Sequence, residues 1–100
     1  MRNEWLLSCR IAKGMFPDEV AVIVSTAEGT QLSLFISGKC VTLGSGHAVS
    51  GLSGEGVDGK IPVRLIDRDE RFGLVSLPAD PIEGSRVAKV SRNLLTEVFA

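Results

Sequence analysis

The sequence predicts a mainly β fold, a small antiparallel β-barrel or roll. Short apolar stretches with alternating or β-branched residues recur along the chain, and turn residues separate them. The composition is that of an ordinary globular domain, with 44% hydrophobic and 23% charged residues. A length of 100 residues is enough for one hydrophobic core and too short for two, so residues 1–100 are expected to form a single domain.

The first predicted element is a strand at Trp5–Ile11, in an N-terminal strand or extension that covers residues 1–18. Apolar side chains recur there at every second position, which is typical of a half-buried strand. A short helix stays open as the alternative, because so short a stretch does not separate the two periods. Lys13–Asp18 is then expected to be a loop.

The next element is a hairpin formed by Val20–Ser25 and Gln31–Ser37. A two-residue loop, Glu28–Gly29, would mix apolar and polar side chains on both faces. A three-residue loop, Ala27–Gly29, makes one face entirely apolar and places glycine at the position that needs positive φ. We therefore predict the second register. It pairs Val24 with Leu32, Val22 with Leu34 and Val20 with Ile36.

A second hairpin is predicted between Ile61–Ile66 and Phe72–Leu77, joined by a three-residue loop at Arg68–Glu70. Pro62 cannot donate a ladder hydrogen bond, so this strand is expected to begin at Pro62 or to run along an edge there. The register pairs Asp67 with Arg71 and Val63 with Val75.

Cys40–Leu43 and Arg86–Val90 are further candidate strands. Beyond them, the apolar residues of 94–99 fall at helical spacing, with Ser91 or Asn93 available as a cap. This pattern predicts a short C-terminal helix or a single 3₁₀ turn. Five or six short strands at close spacing favour an architecture like that of SH3-type or OB-type barrels.

A Gly/Ser-rich loop is predicted at Gly44–Lys60, which holds six of the 11 glycines. Loops of this length in compact domains are often functional, yet a flexible surface connection is the more common role. The spacing matches neither a P-loop nor a dinucleotide-binding fingerprint. This segment is nevertheless the predicted ligand-binding loop, and its candidate binding residues are Ser45, Gly46, His47, Ser50 and Ser53.

His47 is the single histidine of the chain. Paired with a neighbouring serine, it would suit a small hydrolase-like enzyme, which we keep as the second alternative. The Gly-x-Ser-x-Gly pattern fails at Glu55, so no catalytic residue is assigned. Cys9 and Cys40 are too far apart for metal-ligand spacing, and neither a metal nor a cofactor is expected. The two cysteines are expected to be reduced thiols in a cytoplasmic protein.

A net charge of −1 argues against binding to polyanions through bulk charge. Arg71–Leu77 departs from the RNA-recognition strand pattern, because leucines replace two of its stacking aromatics. Arg86, Lys89 and Arg92 form the local basic cluster without an intervening acid. An RNA- or ssDNA-binding small barrel is therefore the first alternative function. No apolar stretch is long enough to span a bilayer, so no membrane association is expected.

Apolar residues also remain on the strand face opposite to the predicted core, where a sheet with one solvated face would be polar. The ends of the chain or a partner should cover them. We therefore expect a non-catalytic binding or interaction module that forms a homodimer or joins an assembly. The predicted interface residues are Trp5, Ile23, Phe35, Ile66 and Phe72.

Overall fold

The computed structural model describes residues 4–44 and 46–98 of the chain. Eight strands form one antiparallel sheet that curls into an open half-barrel, which confirms the mainly β prediction. Three 3₁₀ turns are the helical segments of the described residues, and they cover Gly38–Cys40, Val49–Gly51 and Arg92–Leu94. No helix in these ranges has the length and apolar character needed to cross a membrane. The strands are β1 (Glu4–Lys13), β2 (Glu19–Ser25), β3 (Gln31–Ser37), β4 (Thr42–Leu43), β5 (Val57–Arg68), β6 (Phe72–Ser76), β7 (Val87–Ser91) and β8 (Leu95–Glu97).

The strand order is β3-β2-β1-β5-β6-β7, with β4 added to β5 and β8 added to β1. One edge of β1 pairs with β5 from Glu4 to Ile11. The other edge is shared, because β8 pairs with residues 5–7 and β2 pairs with residues 10–13. Ser8 and Cys9 therefore lie at a gap between two partner strands.

Two backbone hydrogen bonds draw the ends of the sheet together. The Ala27 N–H, at the tip of the β2–β3 hairpin, donates to the Lys89 carbonyl of β7 at 2.8 Å. The Ile82 N–H, in the segment between β6 and β7, donates to the Ser33 carbonyl of β3 at 2.8 Å. In a closed barrel, β3 and β7 would be joined by a full ladder of hydrogen bonds. Because these two bonds do not form such a ladder, the sheet is an open half-barrel.

Alternate residues of the strands fill one core. Val20, Val22 and Val24 of β2 are fully buried, as are Leu7 and Ile11 of β1. The intervening residues face away from the core and are half-buried or exposed in most cases. The period-two pattern thus assigned most core positions of β2, β3 and β5 from sequence.

The first hairpin has the predicted register, with Val24 opposite Leu32 and Val20 opposite Ile36. Gly29 has a φ of 86°, as a glycine in the third loop position requires. The hydroxyls of Thr26 and Thr30 lie 2.7 Å apart across the base of the loop. Sequence pattern and turn chemistry agree here, which is why the prediction is confirmed.

The predicted register of the second hairpin is wrong. The turn lies at Glu70–Arg71, not at Arg68–Glu70, because the Asp69 N–H donates to the Phe72 carbonyl and Arg68 pairs with Gly73. A bulge between Leu65 and Asp67 then adds one residue to β5, so that Leu65, not Val63, lies opposite Val75. β5 continues to Arg68, and the turn is formed by the Asp69 carboxylate, which accepts the N–H groups of Arg71 at 2.7 Å and Phe72 at 2.8 Å. An aspartate can form such a turn without glycine.

The predicted start of this strand at Pro62 is also wrong, because β5 begins at Val57. The loop predicted at Gly44–Lys60 consequently ends before Val57, and its last four residues are strand. On the edge of β5 away from β1, β4 reaches only to Lys60 and β6 begins at Arg64. Pro62 therefore lies where that edge has no paired strand, which fits its missing N–H group.

No α-helix forms at either end of the described residues. Residues 4–13 form β1, so the helix alternative for Trp5–Ile11 is wrong. Of the two C-terminal alternatives, a short helix or a single 3₁₀ turn, the 3₁₀ turn is the correct one. Arg92–Leu94 is a single 3₁₀ turn with the Ser91 side chain as its cap, and Leu95–Glu97 pairs with β1 as β8. The predicted strand at Cys40–Leu43 is shorter, because residues 38–40 form a 3₁₀ turn, and β7 lies within one residue of its prediction.

Candidate binding groove

A groove of about 580 Å³ lies on the side of the sheet that faces away from the core. β1 and β5 form its floor. The β2–β3 hairpin lies on one side, the segment 42–44 lies on the other, and Leu94 stands beside the gap between β8 and β2. Polar residues on the groove are Ser8, Arg10, Ser25, Gln31, Thr42, Asp58 and Lys60.

The strand register brings these polar side chains together. Directly opposed residues of an antiparallel pair point to the same face of a sheet. Ser8 of β1 is opposite Lys60 of β5, and Lys60 is opposite Thr42 of β4, so these three form one row. Arg10 and Asp58 form the next pair along the same two strands. Because strands fix the positions of these side chains, the groove is built on a rigid support.

Arg10 ties the glycine-rich segment to the floor of the groove. Its Nε and Nη2 donate to the Glu55 carbonyl at 3.4 and 3.2 Å, and Nη2 also donates to the Gly56 carbonyl at 3.3 Å. Its Nη1 lies 3.8 Å from Asp58 Oδ1, in an ion pair whose carboxylate side chain is 97% exposed. Most of the Arg10 donors are therefore committed to the protein.

Other polar groups in the groove have no internal partner. Among the described residues, the Ser8 and Thr42 hydroxyls and the Lys60 ammonium make no hydrogen bond or ion pair with protein groups. Each keeps its donors for a bound molecule or for water.

Cys9 lies between Ser8 and Arg10 on β1 and packs against the core, and its thiol has low reactivity. Burial raises the pKa of Cys9 from 9.0 to about 12, because a thiolate is poorly solvated there. Only the thiolate is a good nucleophile or metal ligand, so this thiol contributes apolar surface. Cys40 is exposed and does not line the groove.

The segment predicted as the ligand-binding loop, Gly44–Lys60, meets the groove at Gly44 and at its last three residues, Asp58–Lys60. Four of its candidate binding residues, Gly46, His47, Ser50 and Ser53, do not line the groove. His47 is exposed. Its backbone N–H donates to the Gly44 carbonyl at 3.2 Å, and Gly46, which lies between them in sequence, has a φ of 86°. Ser50 and Ser53 are exposed as well, and the Ser53 hydroxyl accepts the Glu55 N–H at 3.3 Å.

No hydrogen bond joins the His47 ring to Ser50 or Ser53 in the described part of the chain. Ser45 lies outside the described residues. Across residues 4–44 and 46–98, no three His, Cys, Asp or Glu side chains are grouped closely enough to hold a metal ion.

Trp5, one of the predicted interface residues, has little exposed surface. It is 8% exposed and belongs to the core, because it lies on the same face of β1 as Leu7. The guanidinium groups of Arg68 and Arg92 lie 5.3 and 5.4 Å from its ring centroid and cover it.

The other four predicted interface residues face away from the core. Ile23 and Phe35 are half-buried, and Ile23 lines the groove. Ile66 is 53% exposed at the bulge of β5. Phe72 is half-buried beneath the Lys89 ammonium, which lies 4.3 Å from the ring centroid.

Most groove residues were missed from sequence because the segment Asp58–Lys60 was assigned to a loop. The sequence does contain a pattern that indicates a polar strand face, because polar residues occur at every second position. They are Ser8 and Arg10 on one strand and Asp58 and Lys60 on another. This alternation shows a polar face, but their convergence depends on the pairing of β1 with β5.

The elements described above define an antiparallel β half-barrel with a polar groove on its outer face. Comparisons with family models, with curated proteins and with solved structures find no match for this chain.

Proposed function

We propose that this chain is a non-catalytic binding module whose ligand site is the groove over β1 and β5. The observation that carries the proposal is the row of uncommitted donors, Ser8, Lys60 and Thr42, in a groove of about 580 Å³. That volume lies within the range of small-molecule sites. The donors are supplied by three different strands, which favours a fixed constellation for recognition.

Binding is better supported than catalysis because the groove lacks an activated group. Its thiol, Cys9, is protonated at neutral pH. His47 does not line the groove. The hydrolase-like alternative would need an activity that is lost in His47→Ala, and the interactions of His47 give it no further support.

The test of the binding proposal is a screen of small fragments against ¹⁵N-labelled protein by NMR. We expect fragments to shift the backbone amides of groove residues such as Ser8 and Lys60. Ser8→Trp should remove these shifts by filling the floor of the groove. Glu83→Trp is the control, because Glu83 is an exposed residue between β6 and β7, outside the groove lining. Fragments that shift only other regions would contradict the proposal.

Self-association is a second candidate property, supported by an apolar surface on the outer face of β5–β7. Ile66 is 53% and Val87 is 41% exposed, and half-buried Leu74 lies beside them. Charges of both signs lie beside this surface, because Asp67 is opposite Leu74, and Arg64 is opposite Ser76, which is itself opposite Val87. A second copy related by a two-fold axis can therefore offer matching groups. We propose a homodimer through this surface.

Light scattering behind a sizing column tests the homodimer. We expect a mass near twice 10.6 kDa that persists on dilution and falls to one chain in Ile66→Asp. Ile82→Asp is the control, because Ile82 is 66% exposed in a different segment. A monomeric mass for the unmodified chain would refute the homodimer and leave the groove proposal intact.

The RNA- or ssDNA-binding alternative has less support. Bases stack on open aromatic faces, but guanidinium groups lie over Trp5 and an ammonium lies over Phe72. The likeness to SH3-type or OB-type barrels and the cytoplasmic location remain predictions from sequence.

A further inference from the structure

Of the charged side chains in the groove, two form an ion pair with each other and one does not. Arg10 and Lys60 are cationic, and Asp58 is the carboxylate on the same surface. Asp58 is paired with Arg10, at 3.8 Å, and its side chain is almost fully exposed. Lys60 has no ion pair with any of the residues that the structure describes. The groove therefore has one cation without a counter-charge.

The surroundings of Lys60 are specific as well. Its side chain is half-buried on a central strand, with Ser8 opposite on one side and Thr42 opposite on the other. An ammonium without an internal ion pair keeps its three N–H donors for acceptors on a ligand or for water. Its neighbours are hydroxyls without an internal partner, and these can donate in the same direction. Ammonium and hydroxyl groups together are donors suited to an oxyanion.

We infer that the groove binds a small molecule that carries an oxyanion, a carboxylate or a phosphate, at the row formed by Ser8, Lys60 and Thr42. This inference rests on the proposed function and assigns the chemical class of the ligand. Arg10 lies diagonally across β1 and β5 from Lys60 and adds positive potential, although Asp58 offsets part of it.

The ligand also has an apolar part. Ile23 and Leu43 line the groove on opposite sides of the polar row, and Leu94 lines it at the gap beside Ser8. Leu43 and Leu94 also pack against the core, so the groove exposes only part of each, and Ile23 is half-buried. An inorganic ion alone would leave the exposed parts of these side chains in water, whereas an apolar body next to the oxyanion would cover them. An aromatic or branched aliphatic acid, or the corresponding phosphate ester, combines both features.

Three probes of similar size test the ligand class by NMR titration of the ¹⁵N-labelled protein. Benzoate supplies a carboxylate, phenyl phosphate supplies a phosphate, and benzamide is a neutral analogue of benzoate. We expect both anions to shift the amides of Ser8, Thr42 and Lys60, and benzamide to bind about tenfold more weakly or not at all. The stronger of the two anions identifies the preferred oxyanion.

Variants of Lys60, Lys39 and Ser8 test whether the affinity for benzoate depends on the Lys60 ammonium. Lys60→Met keeps the length of the side chain but removes its charge, and should weaken benzoate binding about tenfold. Lys39→Met is the matched control, because Lys39 is an exposed lysine outside the groove and should leave the affinity unchanged. Ser8→Ala removes one donor at constant charge, should weaken binding several-fold, and serves if Lys60→Met does not fold.

The outcomes separate the inference from the proposed function. Equal binding of benzamide and benzoate at the groove would refute an oxyanion ligand and still support a binding groove. An unchanged benzoate affinity in folded Lys60→Met would also refute the oxyanion assignment. If neither these probes nor the fragment screen shifts any groove amide, both proposals fail.

Discussion

Cys9 and Cys40 carry the same thiol in opposite surroundings. Cys9 lies on β1 against the core, where burial raises its pKa to about 12, whereas Cys40 ends a 3₁₀ turn and is exposed. A pKa that is higher by about three lowers the thiolate population at neutral pH roughly a thousandfold. Access for a reagent is reduced as well, so both effects protect Cys9.

We predict that an aromatic disulfide reagent titrates one thiol in the native protein and two after denaturation. Cys40→Ser should remove the native reaction, because the remaining thiol is the protected one. Cys9→Ala should leave it in place. Rapid native reaction of Cys40→Ser would show that Cys9 is accessible and ionised, against the structure.

A second residue-scale prediction concerns Gly29. Its φ of 86° is a conformation that β-branched residues rarely adopt, and an added Cβ would meet no atom within 4 Å. Gly29→Val should therefore destabilise the fold through the backbone alone, by about 1–3 kcal/mol. Gly54 also has open space, without a positive φ, so Gly54→Val is the matched control.

Urea unfolding of both glycine variants measures the difference. The midpoint of Gly29→Val should fall clearly and that of Gly54→Val should change little. Equal midpoints for the two variants would mean that the loop accommodates valine by changing its conformation.

At the scale of elements, the two hairpins show what alternation can and cannot predict. The first was predicted in full because one register alone separates apolar from polar residues and also places Gly29 correctly. The second failed because its turn contains no glycine and lies at Glu70–Arg71, next to Asp69, and because a bulge at residue 66 then shifts the pairing within β5 by one residue. A bulge is set by how two strands fit together, so the pattern of one strand does not reveal it.

The groove was not predicted for a related reason. Its row of Ser8, Lys60 and Thr42 joins residues from three strands that are distant in sequence. Each residue alone is an ordinary polar residue on the outer face of a strand. Their convergence follows from which strands pair, and no local pattern contains that information.

The close approach of β1, β4 and β5 gives an element-scale prediction about two buried glycines. A Cβ on Gly59 would lie 2.9 Å from the Thr42 backbone oxygen and 2.6 Å from Ile11 Cγ1. A Cβ on Gly73 would mainly meet Leu95 Cδ1 at 2.5 Å, at the end of a flexible side chain that can move. Gly59→Ala should therefore destabilise the fold more than Gly73→Ala, by about 1–3 kcal/mol.

Thermal unfolding of the two alanine variants tests this order. A lower melting temperature for Gly59→Ala is expected, because β4 must move away from β5 to admit the methyl group. The reverse order would show that the contact between β6 and Leu95 is the less adaptable one.

For the whole molecule, Cys9 couples stability to alkaline pH. Its folded pKa is raised above the ordinary value, so its contribution is fully present below pH 9.0 and is lost as the pH rises towards about 12. Over that window the unfolded chain releases a proton that the folded chain retains. The rise from 9.0 to about 12 corresponds to at most about 4 kcal/mol of the free energy of unfolding.

Urea unfolding at several pH values above neutrality measures this loss. Cys40→Ser should lose stability as the pH rises, while Cys9→Ala combined with Cys40→Ser should lose less, because the other titrating groups are common to both. Identical pH profiles for the two variants would contradict the burial of the Cys9 thiol.

The sharing of β1 by three strands also has a consequence for how the chain is made. β2 follows β1 closely in sequence, so these two strands can pair soon after synthesis. The other partners come much later in the chain, because Glu4 of β1 is opposite Arg64 of β5, and Trp5 is opposite Glu97 of β8. Contacts between residues so distant in sequence are slow to form. During translation, β1, which precedes the other strands of this sheet, must therefore wait for β8 before both of its edges are paired. The nascent protein meanwhile presents an unpaired β-edge, the feature through which immature chains associate with one another.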